Sequence, residues 1–391
     1  MKRLLLVSIL FVLISLSVEG VFARVPPSSI NDLVDDYFGL PLCLPGMPVD
    51  DSCLFYGPAQ VIAEMKAAGF TYPPRELPAA TPPSEFSKMP ISVAFVTIPE
   101  GEPAPVYLSF DDAVSGSNPN RQIDRGRLRF VSYINQRNDA KGTTYVQMPS
   151  WEWIQASPRT YSSFQGLEFF DNPRNDFGWI ISFLENQSRF EPSYTAPGTG
   201  QFYDRGDLIQ VYDTVEIDGA IWYQIGPEEW INDWMAKVVS ISPGRPEGVE
   251  SDRWIEVNLE QQVLLVYEDG QLVFATLIAS GLEPFYTKPG VFQIYEKNEL
   301  QTMQGAFETD RSDFYYLQDV PWTMFYDQAY AIHATYWPFV FGFPQSHGCV
   351  NLSPGDAKWL FDWAEEGDYV WIHDPSGQTP TDPDYYGPGA P

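Results

Sequence analysis

The chain has 391 residues, with 52 acidic and 23 basic side chains and a net charge of −29. Such an excess of carboxylate repels phosphate, so nucleic acid is set aside as a partner, and the charge mainly favours solubility. Hydrophobic residues make up 44% and aromatics 15%, beside 35 prolines and 29 glycines, a mixture that favours short strands and turns over long helices.

Lys2 and Arg3 precede an apolar run from Leu4 to Val18, and Val21-Phe22-Ala23 follows. This is the pattern of a signal peptide over residues 1–23, cleaved after Ala23. The run is short of the roughly 20 apolar residues of a membrane span, so no stable span is expected after cleavage. Retention as an N-terminal anchor is the alternative. The expected location is secreted, in the cell envelope or cell wall. Residues 24–88 are proline-rich, with one helical stretch near Gly57–Gly69 in which Ala59, Ile62 and Ala63 share a face. Cys43 and Cys53 lie close together there and suit a small disulfide loop in an oxidising compartment.

An internal repeat follows, over 89–160 and 161–242. Asp124-Arg125-Gly126-Arg127-Leu128 is matched by Asp204-Arg205-Gly206-Asp207-Leu208, with Val131 and Val211 in register. Further on, Gly142, Tyr145 and Gln147 match Gly219, Trp222 and Gln224, and Trp153-Ile154 matches Trp230-Ile231. The first copy carries three extra residues before Gly142. Each copy alternates short apolar strands with Gly/Asp turns. Both resemble the small bacterial β-barrels of the src-homology-three type. That resemblance implies modules that bind the wall or pack on a catalytic unit; plain spacers are the alternative.

Residues 243–249 read as a linker. Beyond it, Ile255, Val257 and Leu259 alternate with Glu256 and Asn258, as in a strand. Val263–Tyr267 and Leu272–Ala279 flank Asp269-Gly270, a preferred pair for a tight hairpin. Lys288-Pro289-Gly290 marks a turn before Val291–Tyr295. Ser353 is placed to cap a helix, with Pro354 at its first position and Asp356 completing the cap pattern. Ala357, Leu360, Phe361 and Ala364 have the spacing of a buried stripe, and Gly367 is the expected stop. Tyr369–Ile372 reads as a last strand, and 376–391 as a mobile tail. The expected fold is mainly β, with a sandwich-like C-terminal domain over 250–375 behind two small barrel-like repeats.

The chemistry gathers in Ser346-His347-Gly348-Cys349-Val350-Asn351, with His333 upstream. Two of the chain's three histidines and the cysteine left over from the Cys43–Cys53 pair lie here. A thiol with an imidazole in reach is a way to make a nucleophile, provided the thiol can lose its proton. Two His and one Cys could also hold zinc, but no spaced fourth ligand accompanies them, so neither metal nor cofactor is expected. A buried, inert cysteine is the plain structural alternative.

Residues 250–374 resemble the L,D-transpeptidase catalytic domain, also called the YkuD domain. The resemblance rests on His333, a spacer of twelve residues, and the run Ser346 to Asn351. Ile255–Leu259, Ala279-Ser280-Gly281 and Lys288-Pro289-Gly290-Val291-Phe292 add to it. Ala334 stands where the family often has glycine, which puts the turn that orients His333 in question. The resemblance implies that Cys349 is the nucleophile and His333 the general base and acid, held by the backbone carbonyl of Ala334. His347, Gly348, Ser346 and Asn351 would form the oxyanion or substrate loop, with a purely structural His347 equally open. His373 is read as incidental. The implied reaction transfers an acyl group of a peptidoglycan stem peptide through a Cys349 thioester to an amine. Hydrolysis of that thioester would make an L,D-carboxypeptidase instead. A papain-like peptidase fits poorly, because there the cysteine precedes the histidine. A non-catalytic wall-binding protein is opposed by the intact Cys349 and His333.

Overall fold

The computed structural model describes residues 76–160, 164–184, 186–241, 244–307, 310–311 and 313–386. The signal segment, the Gly57–Gly69 helix, and Cys43 with Cys53 lie outside these residues. The described chain is mainly β, in agreement with the expected class. Among the described residues no helix is long and apolar enough to cross a membrane.

Two sheets dominate. The first places Arg253–Asn258 between Val263–Glu268 and Tyr369–His373. Gln271–Leu277 lies beyond Val263–Glu268, joined to it by Asp269 and Gly270, both at positive φ (51° and 75°). That is the conformation a two-residue hairpin turn demands and the reason Asp-Gly suits it. The same sheet takes in two strands from before the linker: Leu167–Phe169 pairs with Gln271–Leu277, and Ala79–Ala80 pairs with Leu167–Phe169. They cover an edge that would otherwise stand open.

In the second sheet Val350–Leu352 lies beside Tyr330–Ala334, and then comes the thirteen-residue strand Tyr315–Asp327. This long strand also pairs, in parallel, with Leu128–Tyr133. Strands of the first repeat therefore continue the sheet that carries His333.

The facing sides of the two sheets bury Ile255, Val257, Leu264 and Val266 against Met324, Ile332, Val350 and Leu352. The helix Pro354–Trp363 adds Ala357, Trp359 and Leu360. Ser353 caps it by accepting the Asp356 amide. It ends at Trp363, earlier than the expected stop, because the chain already extends at Ala364; Gly367 lies in the following turn, at φ 101°. The outer side of the first sheet is covered as well. Val263, Leu265 and Tyr267 pack on Phe177, Trp179 and Val239 of the second repeat. Burial on both faces explains why Val263–Tyr267 is continuously apolar instead of alternating.

The two repeats contain a hairpin with the same register. Tyr145, Val146 and Gln147 face Gln155, Ile154 and Trp153; Trp222, Tyr223 and Gln224 face Asn232, Ile231 and Trp230. These are the positions matched in the sequence. His373 closes the last strand, opposite Asn258. There its Nε2 meets Glu256 Oε1 at 3.0 Å and its ring stacks on Trp371, so it supports the sheet and lies inside the strand, not beyond it.

Candidate active site

Tyr330–Ala334 and Val350–Leu352 run parallel, with Ile332 opposite Val350 and His333 opposite Asn351. Ile332, Ala334, Val350 and Leu352 point into the core. Alternation along the strands then puts His333 and Asn351 on the other face, and Cys349 stands in the bend just before Val350–Leu352. Cys349 thus adjoins the strand that pairs with the one carrying His333.

His333 is 2% exposed. Its Nδ1 lies 2.9 Å from the Ala334 carbonyl, which can only accept, so Nδ1 carries the proton and Nε2 is left as an acceptor. Alanine in place of glycine thus leaves this bond intact. Burial pushes the imidazole pKa down to about 4, against the upward pull of the Ala334 carbonyl. Cys349 is partly buried, and its thiol points to the Ala329 carbonyl at 3.9 Å. Burial pushes the thiol up to about 11, while the Ala331 backbone pulls it down. Among the described residues no hydrogen bond joins Cys349 to His333; in this arrangement both groups are neutral.

The loop before Cys349 is tied through Ser346, Gly348 and Asn351. Ser346 Oγ accepts the Gly348 amide at 3.1 Å and donates to the Cys349 carbonyl at 2.6 Å. Asn351 Nδ2 donates to the carbonyls of Cys349 and Ala279, each at 3.1 Å, and its Oδ1 accepts from Thr335 at 2.9 Å. Gly348 sits at φ 119°, and a Cβ there would collide with the Tyr330 ring, so glycine is required on both counts. Its amide is engaged by Ser346 and is not a free oxyanion donor in this arrangement. His347 lies among aromatic rings, 4.8 Å from Phe307 at an interplanar angle of 9° and 4.8 Å from Phe285. Burial lowers its pKa, and Asp313 opposes this.

Several supporting residues were not read from the sequence. Thr287 Oγ1 donates to the Gly348 carbonyl and accepts the Gly281 amide, both at 2.8 Å. Gln262 brackets Ser280, accepting its amide at 3.0 Å and donating to its Oγ at 2.7 Å. Ser280 in turn accepts the amides of Gln345 and Ser346. The faint signal for Thr287 was its place beside Lys288-Pro289-Gly290; Gln262 carried none. Residues 376–386, expected as a mobile tail, follow turns tied by Asp374, which accepts the Thr379 amide at 2.7 Å. Asp374 and Thr379 line a cavity of about 600 Å³ together with Ser280, Gly281 and Tyr286. Among the described residues no group of three or more His, Cys, Asp or Glu side chains could hold a metal.

Residues 252–372 match the family model for the YkuD L,D-transpeptidase catalytic domain. A crystal structure of a mutant Enterococcus faecium L,D-transpeptidase is 33% identical over 32% of this chain and 50% of that one, with a TM-score of 0.29. The catalytic domain of the E. faecium enzyme, solved by NMR as acylated by ertapenem, is 33% identical over 32% of this chain and all of that one, with a TM-score of 0.29. An L,D-transpeptidase from Mycobacterium smegmatis is 18% identical over 54% of this chain and 90% of that one, with a TM-score of 0.30. No curated protein matches. The chain spans about half the length of the E. faecium crystal structure. Residues 252–372 are therefore a YkuD-type L,D-transpeptidase catalytic domain.

Proposed function

We propose that this chain is an exported L,D-transpeptidase that joins or remodels peptidoglycan through a thioester on Cys349. The observation that supports this most is the tautomer of His333. With Nδ1–H held by Ala334, Nε2 is left as the acceptor, on the strand paired with the one that follows Cys349. Cys349 Sγ attacks the carbonyl between an L-centre and a D-residue of a stem peptide. Its proton passes to His333 Nε2 as the S–C bond forms. The C–N bond breaks, D-alanine takes that proton on its nitrogen, and the thioester remains. An acceptor amine then attacks the thioester, its proton goes to Nε2, and the Cys349 thiolate leaves and is reprotonated from the imidazole.

The domain reading behind this proposal is a signal peptide at 1–23, repeats at 89–160 and 161–242, and a catalytic domain at 250–375. The shared hairpin register supports the repeats as copies of one small barrel. Peptidoglycan stem peptides are the partners, and no metal or cofactor enters the reaction. The test is product analysis after incubation with a stem peptide ending in D-alanine, with and without an amine acceptor. Release of D-alanine with a peptide–acceptor conjugate supports transfer. Release with only the shortened acid makes the enzyme a carboxypeptidase. No release from the folded chain refutes both.

A further inference from the structure

The repeated Asp-Arg-Gly sequences take no part in the steps above, yet the arginine of each reaches a wall of the site. Arg205 Nη2 donates to the Phe341 carbonyl at 2.8 Å, and Nη1 donates to the Ile181 carbonyl. Its guanidinium carbon lies 4.4 Å from the Phe183 ring centre and 5.8 Å from that of Phe343. Phe341 and Phe343 belong to the segment between His333 and Cys349. Nearby, the Gly342 amide donates to the Ile278 carbonyl at 2.8 Å, and a Cβ on Gly342 would press on Ile181 of the second repeat. The same segment packs Trp337 5.8 Å from the His333 ring.

The arginine of the first repeat makes a single, exposed contact of its own. Arg125 Nη2 donates to the Asp310 carbonyl at 3.2 Å, and Arg311 returns to Asp124 at 3.0 Å. This stretch of chain carries Phe307, whose amide donates to Asp313 at 2.8 Å and whose ring stacks on His347.

We propose that the arginine of each repeat is a positioning residue, Arg205 for the backbone between His333 and Cys349 and Arg125 for the segment that seats Phe307 on His347. The inference rests on the reading of Cys349 and His333 as the reacting pair. A planar guanidinium can hold two carbonyls at a fixed angle, and here the two belong to different modules. Removing Arg205 leaves the part-buried carbonyls of Ile181 and Phe341 without this donor and frees the segment to move.

The full chain, with Arg205→Ala, Arg205→Lys and Arg125→Ala, is titrated with ertapenem, and the maximal first-order rate of Cys349 acylation and the half-saturating concentration are measured. Arg205→Ala is expected to lower the maximal rate about tenfold or more and to move half-saturation less than about threefold. Arg205→Lys should fall between it and the parent, and Arg125→Ala should lose about threefold. A first-order constant is not changed by an unfolded fraction, so a merely structural role would leave it alone. Parent-like maximal rates for Arg205→Ala overturn the inference. Should that variant not fold, a parent-like rate for Arg205→Lys overturns it equally. A parent chain that is not acylated overturns the underlying reading of Cys349, and this inference with it.

Discussion

Neither member of the proposed reacting pair is charged at rest, with the thiol pushed up to about 11 and the imidazole down to about 4. Proton transfer must therefore accompany attack on the carbonyl. His333 works as a base only while neutral. Because its folded pKa is lowered, the acid limb of the acylation rate should fall near pH 4 and not near 6.5. A rate profile that already halves between pH 6 and 7 would contradict the buried base. Gly348 is the second sensitive residue. Alanine there must adopt φ 119° and displace the Tyr330 ring. Gly348→Ala should cost about 1–3 kcal/mol in a thermal or urea melt. It should also slow acylation about a hundredfold, since the next residue carries the thiol. Cys349 and His333 could be singled out as candidates because thiols and imidazoles are rare in this chain. The thiol's turn toward Ala329 could not be read, because a rotamer leaves no trace in residue order.

The helix after the loop carries a buried carboxyl. Asp356 accepts the Gly166 amide at 2.8 Å, Thr276 Oγ1 at 2.6 Å and Ser353 Oγ at 2.8 Å. Burial outweighs these donors and raises it to about 6. A raised carboxyl contributes stability at low pH that is lost as pH climbs from 3.8 through 6. His333 has the opposite sign: its stability is full above 6.5 and lost as pH falls toward 4. Each is worth about 3 kcal/mol across its window, so between pH 4 and 6 they nearly cancel. Asp356→Asn should turn this flat stretch into one that rises with pH, read by urea melts at pH 4, 5 and 6. A curve still flat in the variant would show that Asp356 does not titrate there. The cap at Ser353 could be read locally, from Ser-Pro-x-Asp before an apolar stripe. The partners Gly166 and Thr276 could not, since they lie 190 and 80 positions away from Asp356.

At the scale of the molecule, the repeats are built into the domain that carries the site. Leu128–Tyr133 extends the His333 sheet, and Phe177 and Trp179 cover the outside of the first sheet. A fragment of residues 250–375 would expose Trp254, Val263, Leu265 and Tyr267 along one face. It should therefore aggregate where the full chain stays monodisperse in size-exclusion chromatography. A soluble, cooperatively melting fragment would show that this face needs no cover. The repeat itself was readable from matched residues, because each copy must build the same hairpin. Its attachment was not, because parallel pairing of Leu128 with Tyr315 joins strands of unrelated pattern. The most direct test of the thioester mechanism is intact-mass and peptide-mass analysis of the full chain after incubation with ertapenem. A single covalent adduct on the Cys349 peptide, lost in Cys349→Ala, is the predicted result. A folded chain with no adduct, or one modified equally after Cys349→Ala, would contradict it.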